Sequence, residues 1–122
     1  MNEARRRELL EALAALPDGD RLCHGDFHPW NILGEPGKTV VIDWLDACRG
    51  SPAADVCRSF VLMRPARPQL AAIYLEACTE AIGEGRDAIL AWLPVVGAAR
   101  LAEGVPVEAT GLLAMAMGGD PS

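Results

Sequence analysis

His24-Gly25-Asp26-Phe27-His28-Pro29-Trp30-Asn31, followed at a short distance by Val41-Ile42-Asp43-Trp44, is the densest collection of reactive side chains in the sequence. The first stretch is polar and carries a glycine and a proline, so it reads as an irregular loop. Asn31-Ile32-Leu33 and Thr39-Val40-Val41-Ile42-Asp43 read as strands joined by Gly34-Glu35-Pro36-Gly37-Lys38, which predicts a hairpin. Three acceptors stand out: Asp26, Asn31 and Asp43. A carboxylate and an amide five residues apart on a loop can face one centre, and a hairpin can return a second carboxylate to it. Phosphoryl transfer uses such a set: one carboxylate takes the proton of an attacking hydroxyl, and hard oxygens hold Mg2+ against the phosphates. The plainer alternative is that Asp26 and Asn31 only hydrogen-bond their own loop backbone. Asp43 weighs against it, because a carboxylate expected to be buried at the end of an apolar strand needs a reason to be there.

Upstream, Leu9, Leu13 and Leu16, joined by Leu10 and Ala12, recur at spacings of three and four and predict a helix over 3–16. Asn2 is its candidate N-cap, and Pro17-Asp18-Gly19-Asp20 is a stop signal. Arg21-Leu22-Cys23-His24 is expected to be short and extended. Beyond Asp43 the pattern turns helical. Arg49-Gly50-Ser51-Pro52 is a loop leading into a helix from about 54 to 63. Pro65-Ala66-Arg67-Pro68 separates it from a second helix over 68–82, with Leu70, Tyr74, Ala77, Cys78 and Ala81 on one face. A third stretch, 87–102, should be kinked or broken at Pro94. The segment 107–117 reads as a last helix and 118–122 as a frayed tail. The fold class is α+β, mostly helical, as one domain over 1–122 in which a small β-hairpin carries the reactive loops.

The motifs also resemble a known family. The first stretch is similar to the catalytic loop H-G-D-x-H-P-x-N-I-L, and Ile42-Asp43-Trp44 to the following I-D-[WF], of the aminoglycoside phosphotransferase and choline kinase superfamily, relatives of the protein kinases. Gly50-Ser51-Pro52-Ala53-Ala54-Asp55 resembles the family's G-D-P-x-x-D. The match runs in register from His24 to about Phe60, with weaker helical agreement out to about 102. The resemblance implies the C-terminal lobe of a protein-kinase-like fold and an activity that transfers the γ-phosphate of ATP to a hydroxyl of a small molecule. It makes Asp26 the catalytic base and Asn31 and Asp43 the Mg2+ ligands. His24 becomes a structural hub of the loop, and Asp55 a brace that accepts backbone N–H bonds. His28 and Trp30 would line the rim of the pocket; Trp30 stands where the family more often has Gly, and Ser51 where it often has Asp. The resemblance assigns no residue here to the nucleotide.

Bulk properties bound the remaining readings. The 122 residues are the size of one domain, and 51% hydrophobic content is enough for a core. A net charge of −6 speaks against nucleic acid, whose binders carry a basic stripe. The one basic run, Arg5-Arg6-Arg7, is flanked by Glu3, Glu8 and Glu11, as on a solvated helical face. Cysteines at 23, 48, 57 and 78 form no C-x-x-C pair and read as free thiols of a reducing compartment. With no apolar run of spanning length, the expectation is a cytoplasmic protein and no membrane partner.

Two decoys share the reactive region. Gly34 to Thr39 imitates a phosphate loop, but the pattern would require glycine at Ile32 and a following helix; Lys38 reads as an exposed turn residue instead. His24-x-Asp26-x-His28 imitates a metallohydrolase centre, yet the chain holds no other histidine to complete it. Only 23 residues precede His24, they read as one helix, and Lys38 is the sole lysine. The N-terminal nucleotide lobe of such kinases is therefore expected to be absent. A non-catalytic lobe that binds a small molecule or a partner protein is the alternative function. Candidate partners are a hydroxyl acceptor, an aminoglycoside among them given the acidic balance, and a separate N-lobe chain or a second copy.

Overall fold

The computed structural model describes residues 1–104 and 108–118. Within them the chain is mostly helical, with two small antiparallel sheets. Helix α1 (Glu3–Ala15) begins at Asn2, whose side chain accepts the Arg5 N–H at 2.8 Å, the N-cap expected of an asparagine. It packs on α5 (Leu93–Ala102). Its apolar stripe does little burying: Leu9 is in the core, whereas Leu10 and Leu13 are exposed. Arg5 pairs with Glu8 at 3.0 Å one turn on and donates to the Ala116 carbonyl, so the basic run is a solvated helical face, as its acidic flanks imply.

The hairpin joins β2 (Ile32–Glu35) to β3 (Lys38–Val41), Glu35 facing Lys38 and Ile32 facing Val41. The turn is shorter than the sequence suggests, with Pro36-Gly37 alone between the paired ends. Proline followed by glycine at φ 83° is the signature of a type II turn. The second sheet pairs β1 (Arg21–Cys23) with β4 (Cys48–Gly50), Arg21 facing Gly50 and Cys23 facing Cys48. The sequence reading has a loop where β4 lies. Three residues are too few to show an alternation, and the partner strand is distant in sequence.

Helix α2 (Pro52–Met63) is the centre of the core. Ser51 caps it, its side chain accepting the Ala54 N–H. Ala53, Val56, Cys57, Phe60, Val61 and Met63 are buried against Ala71 and Leu75 of α3 (Pro68–Ile82), Ile89 of α4 (Arg86–Leu90) and Leu93 of α5. Leu112 and Met115 of α6 (Ala109–Ala116) close the cluster. Burying a side chain of this size is worth ~1.5–3 kcal/mol, so α2 anchors everything attached to its N-terminus. The predicted helix over 87–102 is divided at Ala91-Trp92. Pro94 stands in the first turn of α5, where its missing N–H costs nothing, rather than at an interior kink. Val107 and residues 119–122 of the predicted last helix and tail lie outside the described residues. None of the described helices is long and apolar enough to cross a membrane.

Candidate active site

Three elements meet at the loop His24–Asn31: the end of β1, the start of the hairpin, and the first turn of α2. Helix α2 supplies Asp55, whose two carboxylate oxygens accept the backbone N–H groups of His24 at 3.0 Å and Gly25 at 2.9 Å. One turn further along the same face, Arg58 Nε donates to the Gly25 carbonyl at 3.1 Å. Gly25 sits at φ 87°, and a Cβ there would lie 2.7 Å from the Asp46 carbonyl oxygen, so glycine is required twice over. The loop is thus tied through its peptide groups to the most buried helix of the molecule.

His24 is buried and joins the loop to the hairpin. Its Nδ1 accepts the Asp26 N–H at 3.0 Å, and its Nε2 lies 2.8 Å from the Ile42 carbonyl. An imidazole that accepts at Nδ1 and meets a carbonyl at Nε2 carries its proton on Nε2. Both nitrogens are committed, which leaves His24 no free lone pair for acid–base work. Its ring packs on Trp44, with centroids 4.5 Å apart, and Phe27 reaches Tyr74 of α3 at 5.9 Å.

Asp26 and Asn31 come together. The buried Asn31 Nδ2 donates to the Asp26 backbone carbonyl at 2.8 Å and to its Oδ2 at 3.2 Å. The loop-backbone contact of the plainer alternative is therefore present, and the carboxylate contact accompanies it. His28 Nε2 stands 3.3 Å from the same Nδ2 and 3.5 Å from Asp26 Oδ1, while His28 Nδ1 is buried without a partner among the described residues. Asp26, His28, Pro29 and Trp30 line a cleft of about 400 Å³, closed on its far side by Leu62, Met63, Arg67 and Arg100. Trp30 is 80% exposed and forms the outer rim. A separate cleft of about 360 Å³ over Val61, Leu112 and Met115 contains none of the three acceptors.

Asp43 departs from expectation: it is exposed rather than buried. The hairpin does return it beside Asn31, since the Ile42 N–H donates to the Asn31 carbonyl at 2.8 Å. It is also the one non-glycine among the described residues at positive φ, 60°. That conformation costs of order 1–3 kcal/mol and gathers at functional positions. Its carboxylate accepts no hydrogen bond among the described residues. Among the described residues there is no cluster of three or more His, Cys, Asp or Glu able to bind a metal.

Arg58, which the sequence reading left out, is a further site residue. It shares a helical face with Asp55 at a spacing of three, and that spacing was the available signal. Its Nη1 is tied to Glu103. The Arg58 guanidinium, opposed by partial burial and aided by Arg100, holds the Glu103 carboxyl below its usual range. Arg100 is itself raised, chiefly by Glu108, so its charge at the back of the cleft is already matched. Burial pushes the Cys57 thiol up to about 12, which makes it core rather than nucleophile.

The loop thus pairs a carboxylate with an amide, is braced from α2, and has a second carboxylate returned beside it by the hairpin. The family model described as the phosphotransferase enzyme family matches residues 2–92, and the chain belongs to that family. No curated protein and no solved structure compared with it matches.

Proposed function

We propose that the chain is the catalytic lobe of a kinase-like phosphotransferase, passing the γ-phosphate of ATP to a hydroxyl of a small molecule with Asp26 as the general base. The observation that carries the reading is the Asp26 carboxylate: half-buried, at the mouth of a cleft, with Asn31 on one oxygen and His28 beside the other. A hydroxyl entering the cleft meets an acceptor whose direction is already fixed, the geometry proton removal asks for. Asn31 and Asp43 are the residues that would hold Mg2+. Asn31 turns its Nδ2 to Asp26, so its Oδ1 is the atom left for a cation, and Asp43 is exposed with its oxygens uncommitted. Hard oxygen donors of this kind suit Mg2+. When bound with nucleotide, Mg2+ neutralises charge on the phosphates. His24 and Asp55 shape the loop, and His28 and Trp30 frame the acceptor.

Among the described residues there is no glycine-rich strand-turn-strand, and Lys38 lies in β3 of the hairpin, so the reading includes a nucleotide lobe supplied by another stretch of polypeptide. The acceptor class extends to aminoglycosides, which the acidic balance favours, and to choline-like and amino alcohols. The test is ADP release by the purified chain with Mg-ATP, a nucleotide lobe of this family added in trans, and a panel of those acceptors. Acceptor-dependent release supports the reading, and release that no acceptor stimulates contradicts it. A second reading, a lobe that binds without turnover, draws on the exposed Leu33, Val40, Trp44 and Leu45 around the hairpin, a patch suited to a partner protein.

A further inference from the structure

We propose that Cys23 and Cys48 form a reversible, peroxide-responsive disulfide at the base of the His24–Asn31 loop. They are direct cross-strand neighbours in the β1–β4 pair. Facing residues of an antiparallel pair put their side chains on one side, with Cα atoms about 4.5–5.5 Å apart, inside the range a disulfide spans. Gly50, two residues from Cys48, leaves that side open. A Cβ built on it would stand 3.6 Å from the Cys23 sulfur and 3.9 Å from the Cys48 sulfur, so both thiols border the same small space. One is buried and the other exposed, the arrangement of an accessible sulfur with a sheltered partner. Burial, then Asp55, then Cys48 itself raise the Cys23 thiol, which assigns first attack to Cys48.

The chemistry balances with a hydroperoxide as oxidant. The Cys48 thiolate attacks the peroxide, giving a sulfenic acid and, from hydrogen peroxide, hydroxide. The Cys23 sulfur then displaces the sulfenic oxygen, releasing water and closing the S–S bond. A dithiol reductant reverses it by exchange. The bond matters to the loop because of where Cys23 lies. Its sulfur is 3.5 Å from the carbonyl of Ser51, the cap of α2, and the next N–H in the chain is held by Asp55. Drawing that sulfur towards Cys48 shifts the peptide on which His24 hangs.

The experiment is titration of the purified chain with hydrogen peroxide, read by thiol count, non-reducing peptide mapping and the imidazole proton signals. The chain contains two histidines, so His24 is assignable with His24→Gln. The expected result is loss of two of the four free thiols, a Cys23–Cys48 cross-linked peptide, and a His24 shift that dithiothreitol reverses. C48S should abolish all three, and C78S should leave them intact. Over-oxidation of Cys48 with no cross-link, a Cys48-linked dimer, or a cross-link that leaves His24 unmoved would overturn the proposal.

Discussion

Asp55 holds the peptide of His24 from below: its Oδ2 accepts the His24 N–H at 3.0 Å while its other oxygen takes the neighbouring Gly25 N–H. The two aspartates of this site therefore do different work. Asp55→Ala leaves two loop N–H groups without acceptors and should destabilise the fold by about 1–3 kcal/mol. Asp26→Asn is isosteric and keeps the Asn31 bond to the Asp26 carbonyl, so its melting temperature should stay close to wild type. Thermal melts of the two variants decide, and the reverse order would mean the roles are exchanged.

Arg58 links the loop to Glu103, and this gives a pH dependence with a definite sign. The Glu103 carboxyl is held below the usual carboxylate range, first by Arg58. A depressed carboxyl contributes stability that is present above the unfolded value and is lost as pH falls through the folded one. Wild type should thus lose this increment below about pH 4.5, and Glu103→Gln should lack it throughout. The pair is partly exposed, so the difference is expected at ~0–1 kcal/mol. Melts at pH 7 and pH 3 for both chains measure it; an unchanged gap between them would count against the link.

Asp43 combines a strained backbone with a proposed metal ligand, and the two can be separated. Asp43→Gly relieves the positive φ, of order 1–3 kcal/mol, against the backbone entropy glycine loses on folding, roughly 0.5–1 kcal/mol. Stability should stay level or rise by up to about 2 kcal/mol, whereas Mg2+-dependent turnover should disappear. Alanine, which keeps the strain, should be the less stable of the two variants. A chemical denaturation series with Asp43→Gly and Asp43→Ala checks the order.

Much of the site was readable because it is local. Asp26, His28 and Asn31 lie within six consecutive positions, and a hairpin with proline and glycine at its turn can only bring Asp43 back beside Asn31. Helix boundaries followed the prolines, although α2 starts at Pro52, before the expected 54, because Ser51 caps it. The misses have physical causes. Strand β4 exists through its pairing with β1 and carries no pattern of its own. The leucines of α1 have the spacing of a buried face, but α5 offers a surface for little more than Leu9. Burial of Asp43 was inferred from the apolar strand before it, yet the chain turns outward there at φ 60°. Arg58 was legible only by placing it on the helical face that Asp55 already defined.

Metal affinity offers an independent check. One carboxylate and one amide are few ligands for a cation that keeps its waters and relies on phosphates. Calorimetry should find Mg2+ binding no tighter than the millimolar range without nucleotide, and tighter binding once ATP and the nucleotide lobe are present. Stoichiometric zinc retained through purification would instead indicate a hydrolytic centre.

The 122 residues alone should turn over slowly. Positioning of reactants can supply roughly 7–11 kcal/mol, and losing half of it lowers a typical ~1–100 s−1 kinase by about two to four orders of magnitude. ADP release near 1 s−1 from this chain by itself would refute the need for a second lobe.

The most direct test of the central claim is the ratio of acceptor-dependent ADP release by wild type and Asp26→Asn, each at saturating Mg-ATP with the same nucleotide lobe. The amide keeps the shape and the Asn31 contacts but cannot take a proton. General-base catalysis is worth typically ~10²–10⁴ in rate, so the variant should fall by that factor in kcat with its acceptor KM little changed. An Asp26→Asn protein that retains wild-type kcat would contradict the assignment of Asp26 as the base.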